Sequence, residues 1–200
     1  MTLRRAQSFV SIVDDNNEVV SPPSGSPAGT PADSLLTVQG ATVGYPIAVV
    51  GRGDNIDVIL TADTSQYANN DVLADTQEIA NAVRENGGRA LLHSLVVIDE
   101  SDQGQDIDFV FLSANQSIGT ENSAVSITDQ SARDILGIVS VATTDYSDLI
   151  NSQVATLSTV GLQLKAAEDT TSLWIAAIVR SGTPTYAANG IRLKLGLLWD

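Results

Sequence analysis

The chain has 200 residues, with 10 Lys and Arg against 24 Asp and Glu, no Cys and one His. Its formal net charge of −14 repels phosphate groups, which argues against nucleic acid and anionic membranes as partners. The absence of Cys excludes disulfides, a thiolate nucleophile and Cys-ligated zinc. A hydrophobic fraction of 43% predicts a packed core, and no window has the roughly 18 consecutive apolar residues that a membrane span needs.

The first 33 residues differ in composition from the rest of the chain. Residues 8–13 alternate as a short strand does, and residues 21–33 (SPPSGSPAGTPAD) concentrate Pro, Gly and Ser, which disfavour helices and sheets. We therefore predict an N-terminal arm and linker over residues 1–33 and one β domain over residues 34–200.

From residue 35 onward, short runs rich in β-branched residues alternate with polar turns. Their spacing of roughly 8–12 residues favours a β-sandwich or barrel over alternating strands and helices. The predicted strands cover residues 35–38, 43–50, 56–60, 91–98, 107–112, 137–142, 154–164, 173–180 and 191–199.

Two of these strands carry the most information. Residues 91–98 and 107–112 flank a polar stretch, which predicts a hairpin, and the second run is apolar on both faces, which predicts a central strand or a subunit interface. In residues 191–199, aliphatic residues at every second position, Ile191 and then Leu193, Leu195 and Leu197, alternate with Arg, Lys and Gly, as in a strand with one buried face.

Two helices are expected between the strands. Residues 75–88 place Asp75 as an N-cap three residues before Glu78, with a glycine stop at Gly87. Residues 129–137 repeat the pattern over a shorter length. Both fit as short insertions in a β fold, because short helices depend on tertiary packing.

No constellation of catalytic residues stands out. His93, the only histidine, falls on an apolar strand face, which favours a core or interface position over catalysis. A glycosidase needs two carboxylates beside an aromatic-lined cleft, but the chain is only 4% aromatic. The acidic turn at residues 99–108 departs from the EF-hand calcium pattern. We therefore predict no catalytic residue, no cofactor and no metal site.

Three stretches resemble a known group of proteins: QYANNDVLAD at residues 66–75, residues 91–112, and VRSGTPTY at residues 179–186 with the strand that ends the chain. Together they resemble the small jelly-roll head proteins of tailed bacteriophages, which sit on or beside the major capsid protein as decoration or cement subunits. The resemblance covers residues 66–200 and implies an all-β jelly-roll sandwich without enzymatic residues.

The resemblance implies that the chain is a structural virion protein on the outer surface of a phage capsid. Its expected partners are the major capsid protein and two further copies in a homotrimer. Alternatives are another virion part, such as a head-fibre base, collar or tail subunit, and a carbohydrate-binding β-sandwich. The residues expected to contact partners are Leu3, Arg4, Arg5, Phe9, Phe109, Phe111, Trp174 and Trp199.

Overall fold

The computed structural model describes residues 53–199. The predicted arm over residues 1–33 and the predicted strands at residues 35–38 and 43–50 lie outside the described residues, as does the start of the predicted domain at residue 34.

The described chain is almost entirely β structure, as predicted. It has one helix, α1 (Asp129–Ala132), and one 3-10 turn, Thr143–Asp145, and no helix within residues 53–199 has the length and apolar character to cross a membrane. The strands are β1 (Gly53–Leu60), β2 (Val72–Ile79), β3 (Arg89–Asp99), β4 (Ile107–Leu112), β5 (Ile135–Val141), β6 (Tyr146–Asp148), β7 (Gln153–Leu157), β8 (Leu162–Lys165), β9 (Leu173–Val179) and β10 (Ile191–Trp199).

These strands form two antiparallel sheets. One has the order β1-β10-β3-β7-β6, with β8 also pairing with β3, and the other has the order β2-β9-β4-β5. The pairs are nested: β4 pairs with β5, β3 with β7 and β8, β2 with β9, and β1 with β10. This nesting, with successive strands moving between two sheets, is the jelly-roll arrangement and confirms the predicted fold class.

The core lies between the two sheets. Strand β10 shows how the sequence builds it, because Ile191, Leu193, Leu195 and Leu197 are buried while the residues between them face outward. Each such aliphatic side chain contributes about 1.5–3 kcal/mol when it is fully removed from water. The alternation predicted for this strand is confirmed.

A second, smaller apolar cluster covers the outer face of the four-stranded sheet. Val110 and Leu112 of β4 point into it, and Ile118 from the connection between β4 and β5 packs over them. The Asp75 carboxylate holds this connection in place by accepting hydrogen bonds from the backbone N–H of Ile118, at 3.0 Å, and from the hydroxyl of Ser117, at 2.8 Å. Strand β4 is therefore a central strand with both faces covered by its own chain.

The prediction of a helix over residues 75–88 is wrong. Residues up to Ile79 continue strand β2, which pairs with β9, and Asp75 fastens the β4–β5 connection rather than capping a helix. Pairing with a neighbouring strand buries Leu73, Ala74 and Ile79 and outweighs the helical spacing. The shorter helix exists only as α1, because Thr128 supplies the cap and β5 begins at Ile135.

The hairpin predicted from residues 91–98 and 107–112 is also wrong. Strands β3 and β4 lie in different sheets, so the polar stretch between them crosses from one sheet to the other. The predicted strand over residues 154–164 is divided into β7 and β8 by a turn in which Gly161 has a φ of 73°. Local alternation shows that a segment is a strand but does not show which strand it pairs with.

The β4–β5 connection covers part of the outer face of the four-stranded sheet. Two substitutions on this face should therefore differ in their effect on the free energy of unfolding. Leu112→Ala should lower the free energy of unfolding by about 2–5 kcal/mol, because it empties a covered position. Ile138→Ala, on neighbouring β5 and 51% exposed, should cost no more than about 1 kcal/mol. Urea unfolding of both variants measures this, and equal losses would mean that the connection does not cover Leu112.

Candidate interaction surfaces

One end of the sandwich is closed by four chain segments between strands. They cover residues 61–71, 100–106, 142–152, which include the short strand β6, and 180–190. The strand ends meet there, since Leu60 lies opposite Ile191, and Asp99 lies opposite Ile191 and Gln153. Hydrogen bonds tie these connections to one another. They include Ala62 N to Ala188 O at 2.9 Å, Tyr67 N to Pro184 O at 2.9 Å, Ala187 N to Ser101 Oγ at 3.0 Å and Thr143 Oγ1 to Asp106 Oδ1 at 2.8 Å.

The Asp99 carboxylate organises the connection between β3 and β4. It is fully buried and accepts hydrogen bonds from three backbone N–H groups, those of Ser101 at 2.8 Å, Gln103 at 2.9 Å and Gly104 at 2.9 Å. Each oxygen of a carboxylate accepts hydrogen bonds, which suits a turn whose N–H groups converge. Asp99 is therefore a structural cap, and the acidic stretch around it is a folded turn.

Three tyrosines lie beneath this end of the sandwich. The Tyr67 hydroxyl donates to the carbonyls of Asp63 and Leu73, and its ring centre is 6.0 Å from that of Tyr186. Burial raises the pKa of Tyr67 to about 12 and raises the pKa of Tyr146 and Tyr186 further above their usual value. All three side chains stay protonated near neutral pH, so they fill space here and offer no general base.

Hydrogen bonds lower the pKa of several carboxyl groups near the surface. The backbone N–H and hydroxyl of Thr143 lower the pKa of Asp106, and Ser65 does the same for Asp63. The Lys165 ammonium lowers the pKa of Glu168. Within residues 53–199, no cluster of three or more His, Asp or Glu side chains has a geometry that would hold a metal ion.

The outer face of the six-stranded sheet changes character along its length. Near Asp99 it carries ion pairs, Arg192 with Glu100 at 2.6 Å and Lys194 with Asp57 at 3.0 Å. At the opposite end it is apolar. There an open hollow of about 490 Å³ is lined by Arg89, Ala90, Leu91, Gln163, Leu198 and Trp199.

Leu91 and Leu198 give this hollow an exposed apolar floor. They lie opposite each other on β3 and β10 and are 38% and 44% exposed. A second hollow of about 300 Å³ adjoins the first at Leu198 and contains His93. Together the two hollows form a concave area on an otherwise charged face.

His93 lies on this outer face and not among the core residues, so the core position predicted for it is wrong, and the interface position stays a prediction. The pairing of β3 with β10 shifts register there, with Ser94 opposite Gly196 and Leu92 opposite Leu197. This bulge leaves His93 exposed and Leu92 buried, and it reverses which residues face the core.

A second exposed apolar feature is the turn between β6 and β7. Leu149 is 59% exposed and Ile150 is 83% exposed, the highest value among the large hydrophobic side chains of the described residues. The turn is held by hydrogen bonds from Leu149 N to Ser152 O at 2.9 Å and from Ile150 N to Asp148 Oδ1 at 2.7 Å. Neither residue is among the partner contacts predicted from the sequence.

The structure places the predicted partner-contacting residues in different environments. Phe109 and Phe111 are fully buried between the sheets, because β4 is central, so neither ring can reach a partner while the sandwich is intact. Trp174 packs against the smaller apolar cluster. Trp199 lines the hollow, and its indole N–H donates to Ala82 O at 2.8 Å. Leu3, Arg4, Arg5 and Phe9 lie outside the described residues.

Comparison with known proteins adds little to these observations. No family model matches the chain. No curated protein matches it either. A solved structure titled Desmodium yellow mottle tymovirus aligns with 100% of this chain and 95% of its own, at 11% identity and a TM-score of 0.27. A TM-score of 0.27 is too low to argue for a shared fold, so the fold assignment depends on the observed strand order.

The Asp99 cap predicts a large loss of stability from a small chemical change. In Asp99→Asn an amide NH₂ replaces one oxygen and faces backbone donors, so the free energy of unfolding should fall by about 2–3 kcal/mol. Asp102→Asn makes the same change at an exposed position in the same turn, where the φ of 57° suits Asn, and should shift stability by less than about 0.5 kcal/mol. Urea unfolding measures both, and similar midpoints would refute the cap.

The lowered pKa of Asp106 predicts a pH-dependent contribution to stability. Because the folded pKa lies below the unfolded value of about 3.9, the stabilisation is complete above that value and is lost as pH falls through the folded pKa. The stability gap between the wild type and Asp106→Asn should therefore narrow from about pH 6 to about pH 2.5. Urea midpoints at both pH values measure it, and a constant gap would contradict the assignment.

Proposed function

We propose that this chain is a structural virion protein of a tailed bacteriophage, a decoration or cement subunit that binds the outer surface of the head and bridges capsomers. The major capsid protein is its partner, and the working unit is a homotrimer. The protein has no enzymatic role in this proposal.

The observation that carries the proposal is the nested jelly-roll strand order. The resemblance of three sequence blocks to phage head proteins implies this architecture, and the described residues fold into it. A shell protein needs a rigid scaffold and contact surfaces rather than a catalytic pocket. The hydrogen-bonded connections at one end of the sandwich supply rigidity, and the exposed apolar hollow and turn at its two ends supply contact surfaces.

The net charge of −14 supports a position outside the shell. Packaged DNA presents closely spaced phosphates, so an acidic subunit is repelled from the inner surface. The same charge opposes random aggregation of free subunits before they meet the capsid.

The carbohydrate-binding alternative has less support. A sugar platform needs an exposed aromatic ring, but the aromatic rings within residues 53–199 are buried or half-buried. Of the two tryptophans, Trp174 packs on the smaller apolar cluster and Trp199 lies beneath the guanidinium of Arg84, whose carbon is 5.9 Å from the ring centre.

Binding of the full chain to undecorated heads tests the proposal. Heads assembled without this protein should bind it in co-sedimentation, whereas isolated tails should not. Failure to bind the heads at any salt concentration would overturn the proposed function.

The arm residues in the proposal have their own test. Because Arg4 and Arg5 are proposed partner contacts on an acidic chain, Arg4→Glu with Arg5→Glu should weaken head binding at least about tenfold, or about 1.4 kcal/mol. Arg133→Glu, an exposed charge reversal at the helix end, serves as the control and should leave binding unchanged. Equal binding of all three proteins would exclude these two arginines as contacts.

A further inference from the structure

The turn between β6 and β7 holds an unfavourable backbone conformation at its most exposed residue. Ile150 has a φ of 77°, in the left-handed region where its branched side chain crowds the backbone. Glycine or asparagine would adopt this conformation more easily. The chain instead presents Ile150 beside Leu149, as two exposed aliphatic side chains at the tip of a short hairpin, and we call this pair the tip.

The hollow lined by Leu91, Leu198 and Trp199 is an apolar surface of the kind that the tip needs as a partner. It is shallow and open, its floor is apolar, and its volume is about 490 Å³. Burial of Leu149 and Ile150 there would remove from water the two most exposed large hydrophobic side chains of the described residues.

The charges around the two features are also complementary. Asp145 and Asp148, both exposed, flank the tip on the β6 side. Arg89 lines the hollow, and Arg84 lies over the ring of Trp199 at its edge. Neither arginine makes an ion pair with another residue in the range 53–199. Glu168 lies near Arg89 and Asp54 lines the adjoining hollow, so the attraction is confined to Arg84 and Arg89 themselves. It favours an approach that brings Asp145 and Asp148 to these two arginines.

The tip and the hollow lie at opposite ends of the same sheet. Strand β7 begins opposite Asp99, at the end of β3 nearest the tip, whereas the hollow is formed around Arg89 and Leu91 at the other end. The 11 residues of β3 span about 35 Å, so the tip and hollow of one chain cannot meet. They can meet only between two copies.

We propose that the Leu149–Ile150 tip of one copy inserts into the Leu91–Leu198–Trp199 hollow of the next. Such a contact is head-to-tail, because each copy contributes a different surface on each side. Head-to-tail contacts close into a ring when the rotation between copies allows it. The inference deepens the proposed function, since three such contacts would close the proposed homotrimer.

Because Ile150 has a left-handed backbone conformation, one substitution there should weaken self-association without lowering the stability of the folded monomer. Ile150→Asn removes the aliphatic group and relieves the backbone crowding. At concentrations low enough for both proteins to be monomers, the variant should therefore melt at the same or a higher temperature than the wild type. Its self-association, measured by sedimentation equilibrium of the full chain without capsids, should weaken at least about tenfold. Ile138→Asn makes the same exchange on an exposed face away from both features and should associate as the wild type does.

A mixing experiment tests whether the contact is head-to-tail. Leu198→Glu places an acid in the hollow and should likewise weaken self-association at least about tenfold, since it repels Asp148 beside the tip. Ile150→Asn keeps an intact hollow and Leu198→Glu keeps an intact tip, so an equal mixture should form a one-to-one pair and nothing larger.

Three results would overturn the inference: wild-type association of Ile150→Asn, a wild-type chain that stays monomeric at all concentrations, or a mixture in which the two variants do not pair. Each is measured without capsids. A chain that binds heads but does not self-associate would therefore contradict this contact and leave the proposed function standing.

Discussion

The nested pairing of strands around the β4–β5 hairpin is the constraint on which the other features depend. Because β4 is central in its sheet and covered on both faces, its apolar residues form the core and leave no apolar face for a partner there. The same nesting brings four connections to one end of the sandwich, where the buried Asp99 carboxylate fixes the crossing between sheets. Within residues 53–199, the apolar hollow and the Leu149–Ile150 turn both belong to the other sheet.

Much of the fold could be predicted from sequence, and the failures have physical causes. The alternation in β10 predicts a one-faced strand because one buried face requires period two. The helix predicted from the spacing of residues 75–88 is wrong because pairing with β9 outweighs local helix propensity. The false hairpin between β3 and β4 arose because alternation carries no information about the partner strand. A β-bulge places His93 on the outer face of its sheet rather than the inner face. One extra residue in a strand moves the following side chains to the opposite face.

Less of the candidate interaction surface could be predicted. Phe109 and Phe111 were expected at a partner contact because their strand is apolar on both faces, but a covering segment of the same chain explains that pattern. Leu149 and Ile150 are two apolar residues in a polar stretch, a weak signal, and only the backbone conformation of Ile150 makes them conspicuous. Leu91 and Leu198 are far apart in sequence, and strand pairing alone brings them together. Among the predicted contact residues that fall within residues 53–199, Trp199 alone lines the hollow.

We propose that this rigid, acidic jelly roll serves as a contact-making subunit on the outside of a phage head. Imaging of virions that carry a bulky label on the exposed residue Asp102 tests it most directly. We expect label density repeated over the whole outer surface of the head, in groups of three. Label confined to the tail or collar, or absent from purified virions, would contradict it.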